Sequence, residues 1–471
     1  MTNKLALLAA ILFSWTVSFA AVIMVPTDQP TFQAGIDNAV NGDTIIVSPG
    51  VYTGNGNRDI DFQGKAVVLI SASGPENTVI QCEGSLSEPH RAFYFHSGED
   101  TTSVVSGFSI QGGLAWVQSG GGILAKDSSS PLIVNCKFSN NSAYGFVEDI
   151  FPRAGGAVGS ERSNIQYQNC VFDNNSAGGG GAVDIYYGSP KFFNCLFINN
   201  LGLSINGFTT NSSGHGGAIA SFFASPIFVN CIFSGNIAKH YHNEPGQSQK
   251  ARGGAISFFG LSSQVTYGQV INCTFFENVA EATPTENGLG GAIYCFRASP
   301  TITNCVVANS KESEAIYCAD TASHPIVMCS NIFGNEGGDW VGCIASQAGI
   351  NGNFSANPYL CNADSGNLYL RASSPCAPNN NSCSQLIGAL PVDSACLDCC
   401  FDPTGNVDCD ASQTADISDL TVLIDHLFIT LTPLCCPDAA NTDGTGTTDI
   451  SDLTALIDYL FISLAPTAPC Q

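Results

Sequence analysis

Charge is what this chain has least of. Only 11% of its 471 residues are Asp, Glu, Lys or Arg, against about 25% in ordinary soluble domains. Basic residues are the scarcest: 15 Lys+Arg stand against 39 Asp+Glu, giving a net charge of −24. A field of that sign repels phosphate backbones and anionic lipids, which excludes nucleic acid as a partner. Long apolar runs are missing as well. Past the N-terminus no segment approaches the ~20 apolar residues that span a bilayer, so no transmembrane segment is expected after that point. Disorder is excluded in turn, because 44% hydrophobic residues, with 10% aromatics, suffice to bury a core.

The one sustained apolar stretch runs from Leu5 to Val17. It follows Lys4 and ends in Ser18-Phe19-Ala20-Ala21. A basic start, a short apolar region and small residues predict a secretory signal peptide over residues 1–20. The mature chain is then secreted, extracellular or at the cell surface, where disulfides are chemically permitted. An odd count of 21 Cys leaves at least one thiol without a partner in the chain.

What the chain has is repetition. Pro131-Leu-Ile-Val-Asn135-Cys136-Lys-Phe138-Ser-Asn-Asn141 returns as Asn169-Cys170-Val-Phe172 with Asn175, Asn194-Cys195-Leu-Phe197 with Asn200, Asn230-Cys231-Ile-Phe233 with Asn236, and Asn272-Cys273-Thr-Phe275 with Asn278. A weaker copy is Asn304-Cys305-Val-Val307. Between these lie strands of small residues, such as Gly155-Gly156-Ala157-Val158, Gly180-Gly181-Ala182-Val183, Gly216-Gly217-Ala218-Ile219, Gly253-Gly254-Ala255-Ile256 and Gly290-Gly291-Ala292-Ile293. Each half is a short alternating run bounded by Gly, Pro or Asn, hence a strand. None buries its apolar side alone, which predicts a solenoid with about three strands per turn. Asn before each Cys suits a left-handed bend, with Asn amides bonding from coil to coil. The Phe two places after each Cys shares its face, so both line the interior.

The pairing of Gly-Gly-Ala-Ile with Phe-x-x-Asn resembles the repeats of polymorphic outer-membrane adhesins. The wider pattern is similar to the pectin-lyase-like right-handed parallel β-helix superfamily, which implies a mainly β fold over residues 21–391. The opening Val25-Pro26-Thr27-Asp28 through Pro49-Gly50-Val51-Tyr52 looks like the start of such domains, where Thr31–Val40 forms a short helix plugging the first coil, capped by Asp28 or Thr31. The scaffold hosts lyases, hydrolases, esterases and adhesins, so the resemblance implies fold more than function.

Six cysteines, 136, 170, 195, 231, 273 and 305, occupy one repeat position. In-register stacking holds their Cβ atoms ~4.8 Å apart, beyond the ~3.5–4.5 Å of a disulfide, so buried thiols are expected, and no Cys295–Cys318 bond. Cys329, Cys343, Cys361, Cys376, Cys383 and Cys396 lie in irregular sequence and are expected to form disulfides of open connectivity. Leu368–Leu370 to Ile387–Ala389 is expected to close the solenoid.

After Cys396 the composition changes: no Lys or Arg follows Arg371, and Asp multiplies. Ile417-Ser418-Asp419-Leu420-Thr421 returns 33 residues later as Ile450-Ser451-Asp452-Leu453-Thr454. As twelve-residue loops, oxygen donors fall at positions 1, 3, 5, 9 and 12: Asp408, Asp410, Ser412, Asp416 and Asp419, then Asn441, Asp443, Thr445, Asp449 and Asp452. Thr414 and Thr447 offer main-chain carbonyls at position 7. Hard oxygens at this spacing suit Ca²⁺. Each loop enters an apolar helix: Leu420, Leu423, Ile424, Leu427, Phe428, and Leu453, Leu456, Ile457, Leu460, Phe461. The unit resembles a type I dockerin over residues 396–471, which implies a cohesin-like partner or surface component and partner contacts at Ile417, Ser418, Ile450 and Ser451. Gln413 departs from the glycine expected at position 6 of the first loop, and neither loop has a carboxylate or amide at position 5. The bland reading is an acidic, cysteine-stapled helix pair without metal.

Catalytic residues are hard to nominate. Lyases on this scaffold share an Asp and Arg/Lys cluster on one sheet; its hydrolases share Asn-Thr-Asp, Asp-Asp and Gly-His-Gly. Here Gly214-His215-Gly216 is mostly the glycine repeat with a histidine in front, and Asp184 is the carboxylate that follows a Gly-Gly-Ala strand. Asp184 and His215 are weak candidates, without the second carboxylate that glycoside cleavage usually requires. The insertions 143–154, 201–215, 237–252 and 280–289 are expected to leave one corner and form a rim. Their Tyr144, Phe208, His240, Tyr241 and His242, beside Arg252, suit a sugar chain; the two histidines alone are read as solvated rather than metal-binding. The expected function is a polysaccharide- or surface-binding rim tethered by the C-terminal module. A polysaccharide lyase or O-glycosyl hydrolase, and a structural adhesin, stay open.

Overall fold

The computed structural model describes residues 20–469 except 117, 145–153, 205–213, 241–249, 262–264, 282–287, 394–395, 397–402 and 410–413. Residues 1–19 of the expected signal peptide, Phe208, Tyr241, His242, Asp410 and Ser412 lie outside the described residues, and only the backbone of His240 is within them. Strands of two to four residues stack into four parallel sheets of 11, 10, 9 and 6 strands. A long sheet begins at Val22–Val25 and ends at Ile326–Met328; a ladder sheet carries the Cys-x-Phe strands; a glycine sheet carries the Gly-Gly-Ala strands; a corner sheet opens the insertions. Repetition fixes the register, so that Phe138 pairs with Phe172, Phe172 with Phe197 and Phe197 with Phe233.

The bends follow from asparagine. Asn135, Asn169, Asn194, Asn230, Asn272 and Asn304 all take positive φ, between 48° and 54°, a region asparagine enters at little cost. The turn swings the following Cys inward, and Phe two places on joins it. The stacked rings of Phe138, Phe172, Phe197, Phe233 and Phe275 lie 4.7–4.9 Å apart and within 6° of parallel. At the next bend a second asparagine turns in. Asn200 Oδ1 accepts from the backbone and side-chain nitrogens of Asn175 at 3.1 and 3.0 Å, while its Nδ2 donates to Phe172 O and Asn236 Oδ1, both at 2.9 Å. Asn141, Asn175, Asn236 and Asn278 continue the ladder, all fully buried. Every amide position of Asn200 is thus satisfied, as burial of a polar group demands. The asparagines before the cysteines make a lesser exposed ladder, Asn194 donating to Asn169 and Asn230 to Asn194 at 3.1 Å.

The ladder cysteines are buried thiols, as the spacing argument requires. Disulfides begin where the coils lose regularity: Cys318–Cys343, Cys329–Cys383, Cys361–Cys396 and Cys409–Cys435. Cys376 corrects the expectation. It is a buried thiol whose sulfur accepts from Asn331 Nδ2 at 3.3 Å, inside an apolar cluster with Leu360, Leu368, Leu370 and Ile387. That cluster shows that the closing stretch folds back along the outside of the ladder sheet, onto Ile232, Phe276, Val306 and Ala308.

At the other end the helix Phe32–Asn38 plugs the first coil, capped by Thr31, whose hydroxyl accepts from Ala34 N at 3.2 Å. Asp28 instead accepts from Met24 N. Near the C-terminus, helices Ile417–Ile424 and Ile450–Ile457 each carry a capping box and continue as wider turns, Asp425–Ile429 and Asp458–Ile462. Leu423 and Leu456 meet Val407 and Ala440 in a small core. Phe428 and Phe461 do not join it: they lie outside, 58% and 59% exposed, because the widened turn rotates them off the apolar face.

Candidate functional site

The glycine sheet positions the richest surface of the molecule. Its glycines are there for close approach. A Cβ on Gly217 would stand 2.0 Å from Gly254 O and 2.5 Å from Ile237 N, because the corner sheet passes directly alongside. The corner strands Leu114–Trp116, Ser142–Tyr144, Ser176–Ala177, Leu201–Ser204, Ile237–His240 and Val279–Ala280 pair in one register. On the return side His215, Arg252 and Leu289 bridge in parallel. The insertions therefore leave and re-enter at one corner, beside the outer face of the glycine sheet.

Alternation along each strand sends every second residue outward. One outward column reads Asp61, Tyr94, Leu124, Gly159, Asp184, Ala220, Ser257, Tyr294, Tyr317. The other reads Glu161, Tyr186, Phe222, Phe259, Phe296, preceded two coils earlier by His96 and then Lys126, whose N–H bonds Phe95 O. The face thus changes character along its length, ionisable at the N-terminal end and aromatic towards the C-terminal end.

At the aromatic end Phe222, Phe259 and Tyr294 are buried with Leu289 against them, and Tyr186, Phe223, Phe296 and Tyr317 are half-buried at their edge. Burial pushes the Tyr294 hydroxyl up to about 12. Tyr187 and Phe223 occupy the left-handed bend at the strand ends, with φ of 58° and 57° and rings 5.5 Å apart. Guanidinium groups sit over these rings: Arg162 over Tyr187 at 5.5 Å, Arg252 over Tyr294 at 5.7 Å, Arg297 over Phe296 at 5.2 Å. With Arg91 and Lys126 over Tyr94, five of the chain's 15 basic residues serve one sheet face. Each cation–π contact is worth roughly 0.5–1 kcal/mol, and the face also carries Asp61, Glu161 and Asp184, with Arg297 3.6 Å from Asp320.

The residues singled out from sequence fall around this face. Asp184 stands in the first column, fully buried. His215 is buried, its ring edge-on to Phe222 at 5.7 Å and Phe259 at 4.8 Å. The structure brings both to one side of the sheet but withdraws both from solvent. Tyr144 ends its corner strand, 37% exposed, with its ring 6.1 Å from that of Trp116. The sheet-face aromatics were missed, although their signal was present: Tyr186, Phe222, Phe259 and Phe296 each stand four residues after the Ala of Gly-Gly-Ala.

Residues 45–219 match the family model described as right handed beta helix region. The fold is a right-handed parallel β-helix. Residues 272–295 of the β-helix match the Chlamydia polymorphic membrane protein repeat. No curated protein matches the chain. Among solved structures it is similar to pectate lyase Pel9A, with TM-score 0.38 and 13% identity, covering 80% of this chain and 98% of that one. It is also similar to pectin methylesterase from carrot, with TM-score 0.30, 13% identity, and 74% and 91% covered. A PL6 family alginate lyase, AlyGC, follows with TM-score 0.24, 13% identity, and 82% and 60% covered. Likeness at these scores carries nothing about activity.

The C-terminal loops of the β-helix protein are built alike. Asp419 takes the N–H groups of Asp408 and Asp416 at 3.0 and 2.7 Å, and Asp452 those of Asp443 and Asp449 at 3.1 and 2.8 Å. Asp416 and Asp449 in turn accept from Ser418 N and Ser451 N. Burial, then the charge of Asp443, holds the Asp452 carboxyl above its ordinary range. Among the described residues no three His, Cys, Asp or Glu side chains gather closely enough to hold a metal. The donor chemistry nonetheless fits a hard cation: the buried Asn441 Oδ1, first donor of the second loop, has no hydrogen-bond partner. Ile417 and Ile450, at the helix starts, are 66% and 64% exposed. Among the described residues no helix is long and apolar enough to cross a membrane.

Proposed function

We propose that the protein is a secreted β-helix that binds polysaccharide along the outer face of its glycine sheet and is tethered through a calcium-dependent, dockerin-like C-terminal module. The observation that carries the binding reading is the half-buried aromatic edge of Tyr186, Tyr187, Phe223, Phe296 and Tyr317 with guanidinium groups beside it. Aromatic faces offer flat apolar area to sugar rings at low entropic cost, and the coil repeat presents them at regular intervals. This moves the site from the rim loops onto the sheet they flank. The tether rests on the duplicated loops, on the orphan Asn441 Oδ1, and on the exposed Ile417 and Ile450 beside Ser418 and Ser451, which would face a cohesin-like protein. Asn441, Asp443, Thr445, Asp449 and Asp452, with the Thr447 carbonyl, would hold one Ca²⁺; Asp408, Asp410, Ser412, Asp416 and Asp419, with the Thr414 carbonyl, the other.

A glycan array with the full chain tests the binding reading. Tyr187→Ala and Phe223→Ala should each weaken binding about two- to tenfold, the worth of roughly 0.5–1.5 kcal/mol per aromatic contact. Unchanged binding in both variants would return the site to the rim.

A further inference from the structure

The ladder sheet shows how this chain treats an apolar outer face. The closing stretch lies on its C-terminal half, where the outward residues are apolar: Ile232, Phe276, Val306 and Ala308. Nearer the N-terminus, before that cover begins, the same face carries Gln111, Lys137 and Asp173. On this sheet apolar residues point outward where chain covers them and polar ones where it does not, as the cost of wetting apolar area requires.

The long sheet breaks that pattern. Each of its 11 strands sends two residues outward. Most of them are apolar, and Lys191 is the one charge among them. The apolar character reaches both ends: Val22 on the first strand is 58% exposed, and Ile326 and Met328 on the last are 49% and 37%. None of these outward side chains joins an apolar cluster formed by the described residues. With strands ~4.8 Å apart the face is a strip roughly 50 Å long, unlike the singly scattered apolar residues of an ordinary surface.

We infer that this face is the interface of a homodimer, in which two chains stack long sheet on long sheet with their coil axes antiparallel. The size fits, because two outward residues on each of 11 strands match the roughly 20–30 residues a side of a stable interface. Charge selects the occupant. Two copies of a chain of net charge −24 repel each other, and this strip carries no acid, so here they approach at least cost. The order of the strands selects the direction. The twofold axis runs along strand Gln166–Gln168, sixth of the eleven, so both glutamines meet their own copies. Val22 and Met24 then cover the partner's Ile326 and Met328. The C-terminal modules, without Lys or Arg and tied to the closing stretch by Arg371–Asp438 at 2.6 Å, are kept at opposite ends. Parallel stacking would set these two acidic units side by side.

Sedimentation equilibrium of the full chain tests this between about 1 and 100 µM, since interfaces of this size bind from micromolar to picomolar. Wild type should be a dimer at about 10 µM. Val104→Glu and Ile227→Lys each bury an unpaired charge two strands from the axis, and each should loosen the dimer about a hundredfold or more. In the double variant the antiparallel stack sets each new glutamate against the partner's new lysine. It should dimerise about tenfold or more tighter than either single variant, a repair that a folding defect would not show. Lys137→Glu, on the ladder sheet, should leave the dimer as it was. A wild type still monomeric at about 100 µM overturns the inference, as does a dimer that survives both single variants. A double variant no tighter than the singles overturns the antiparallel stack. A monomeric wild type whose Val104→Glu variant loses glycan binding makes a sugar chain the occupant and overturns the dimer.

Discussion

The regular coils and the less regular chain that follows them use cysteine in opposite ways, and the contrast shows what holds each together. In the coils Cys136, Cys170, Cys195, Cys231, Cys273 and Cys305 are buried thiols, each an apolar plug stacked on its neighbour. From Cys318 onward, partners lie 5.6–6.3 Å apart between Cα atoms and are joined. The geometry decides: equivalent positions in a parallel stack keep strand spacing and aligned Cβ vectors, whereas irregular chain brings Cβ atoms into bonding range. Coils cohere because each residue meets its own copy one turn away. The module has two copies of its unit and a core of a few residues around Leu423 and Leu456, too little to stabilise itself by packing alone.

The largest effect should come from breaking the coil stack. Phe197 lies between Phe172 and Phe233, 4.7 Å from each, and is fully buried. Phe197→Ala leaves a cavity that rigid neighbouring coils cannot fill, at a cost of about 3–5 kcal/mol. Chemical denaturation should show the β-helix transition shifted by that amount and the module's unchanged. A joint shift would mean that the two regions do not cohere independently.

Chelation should do the reverse. If the acidic loops hold Ca²⁺, a hundredfold excess over the dissociation constant stabilises the module by about 2.7 kcal/mol, and EDTA removes that while the β-helix transition stays. Heating with and without EDTA, followed by calorimetry, reads both. A module transition indifferent to EDTA contradicts the calcium reading.

Asn200→Ala should cost less than the ring, about 1–3 kcal/mol, the penalty for buried partners left unsatisfied. It strands Asn175 N and Nδ2, and Asn236 Oδ1 and Phe172 O each lose the Nδ2 donor, while the backbone N–H of residue 200 still reaches Asn236 Oδ1. Asn194→Ala removes exposed bonds and should cost much less. Equal losses at the two positions would deny the ladder its role.

Interior and surface were unequally legible in the sequence. Coils, bends, thiols and plug helix were readable because each depends on local spacing: an Asn at positive φ, a Cys after it, a Phe two on. Ile332 and Asn335 match the Phe and Asn of the repeat, which puts Cys329 at the bend position, and its φ is 47°. The face proposed for binding was read poorly. Outward aromatics such as Phe222 and Phe259 are apolar and buried, so their pattern looks like core, and only the three-dimensional return of the insertions makes them one surface. Cys376 was misassigned because irregular sequence around it says nothing about how near a second sulfur comes.

The smallest effect tests the edge of the coil stack. Thr31 caps a seven-residue helix whose Phe32 and Ile36 seal the first coil. Thr31→Ala leaves Ala34 N without its acceptor, a loss of about 1 kcal/mol. In a repeat protein each coil contacts only its neighbours, so the loss should stay local. Phe32 meets Tyr52 edge-on at 4.9 Å and Phe108 at 5.6 Å, and those first coils should open more often. Hydrogen exchange should quicken about fivefold in the strands Thr44–Val47 and Gly50–Tyr52, the ratio corresponding to about 1 kcal/mol. The strands around Phe197 and the module should exchange as before. Faster exchange along the whole β-helix would mean that the plug, rather than the ladder, sets its stability.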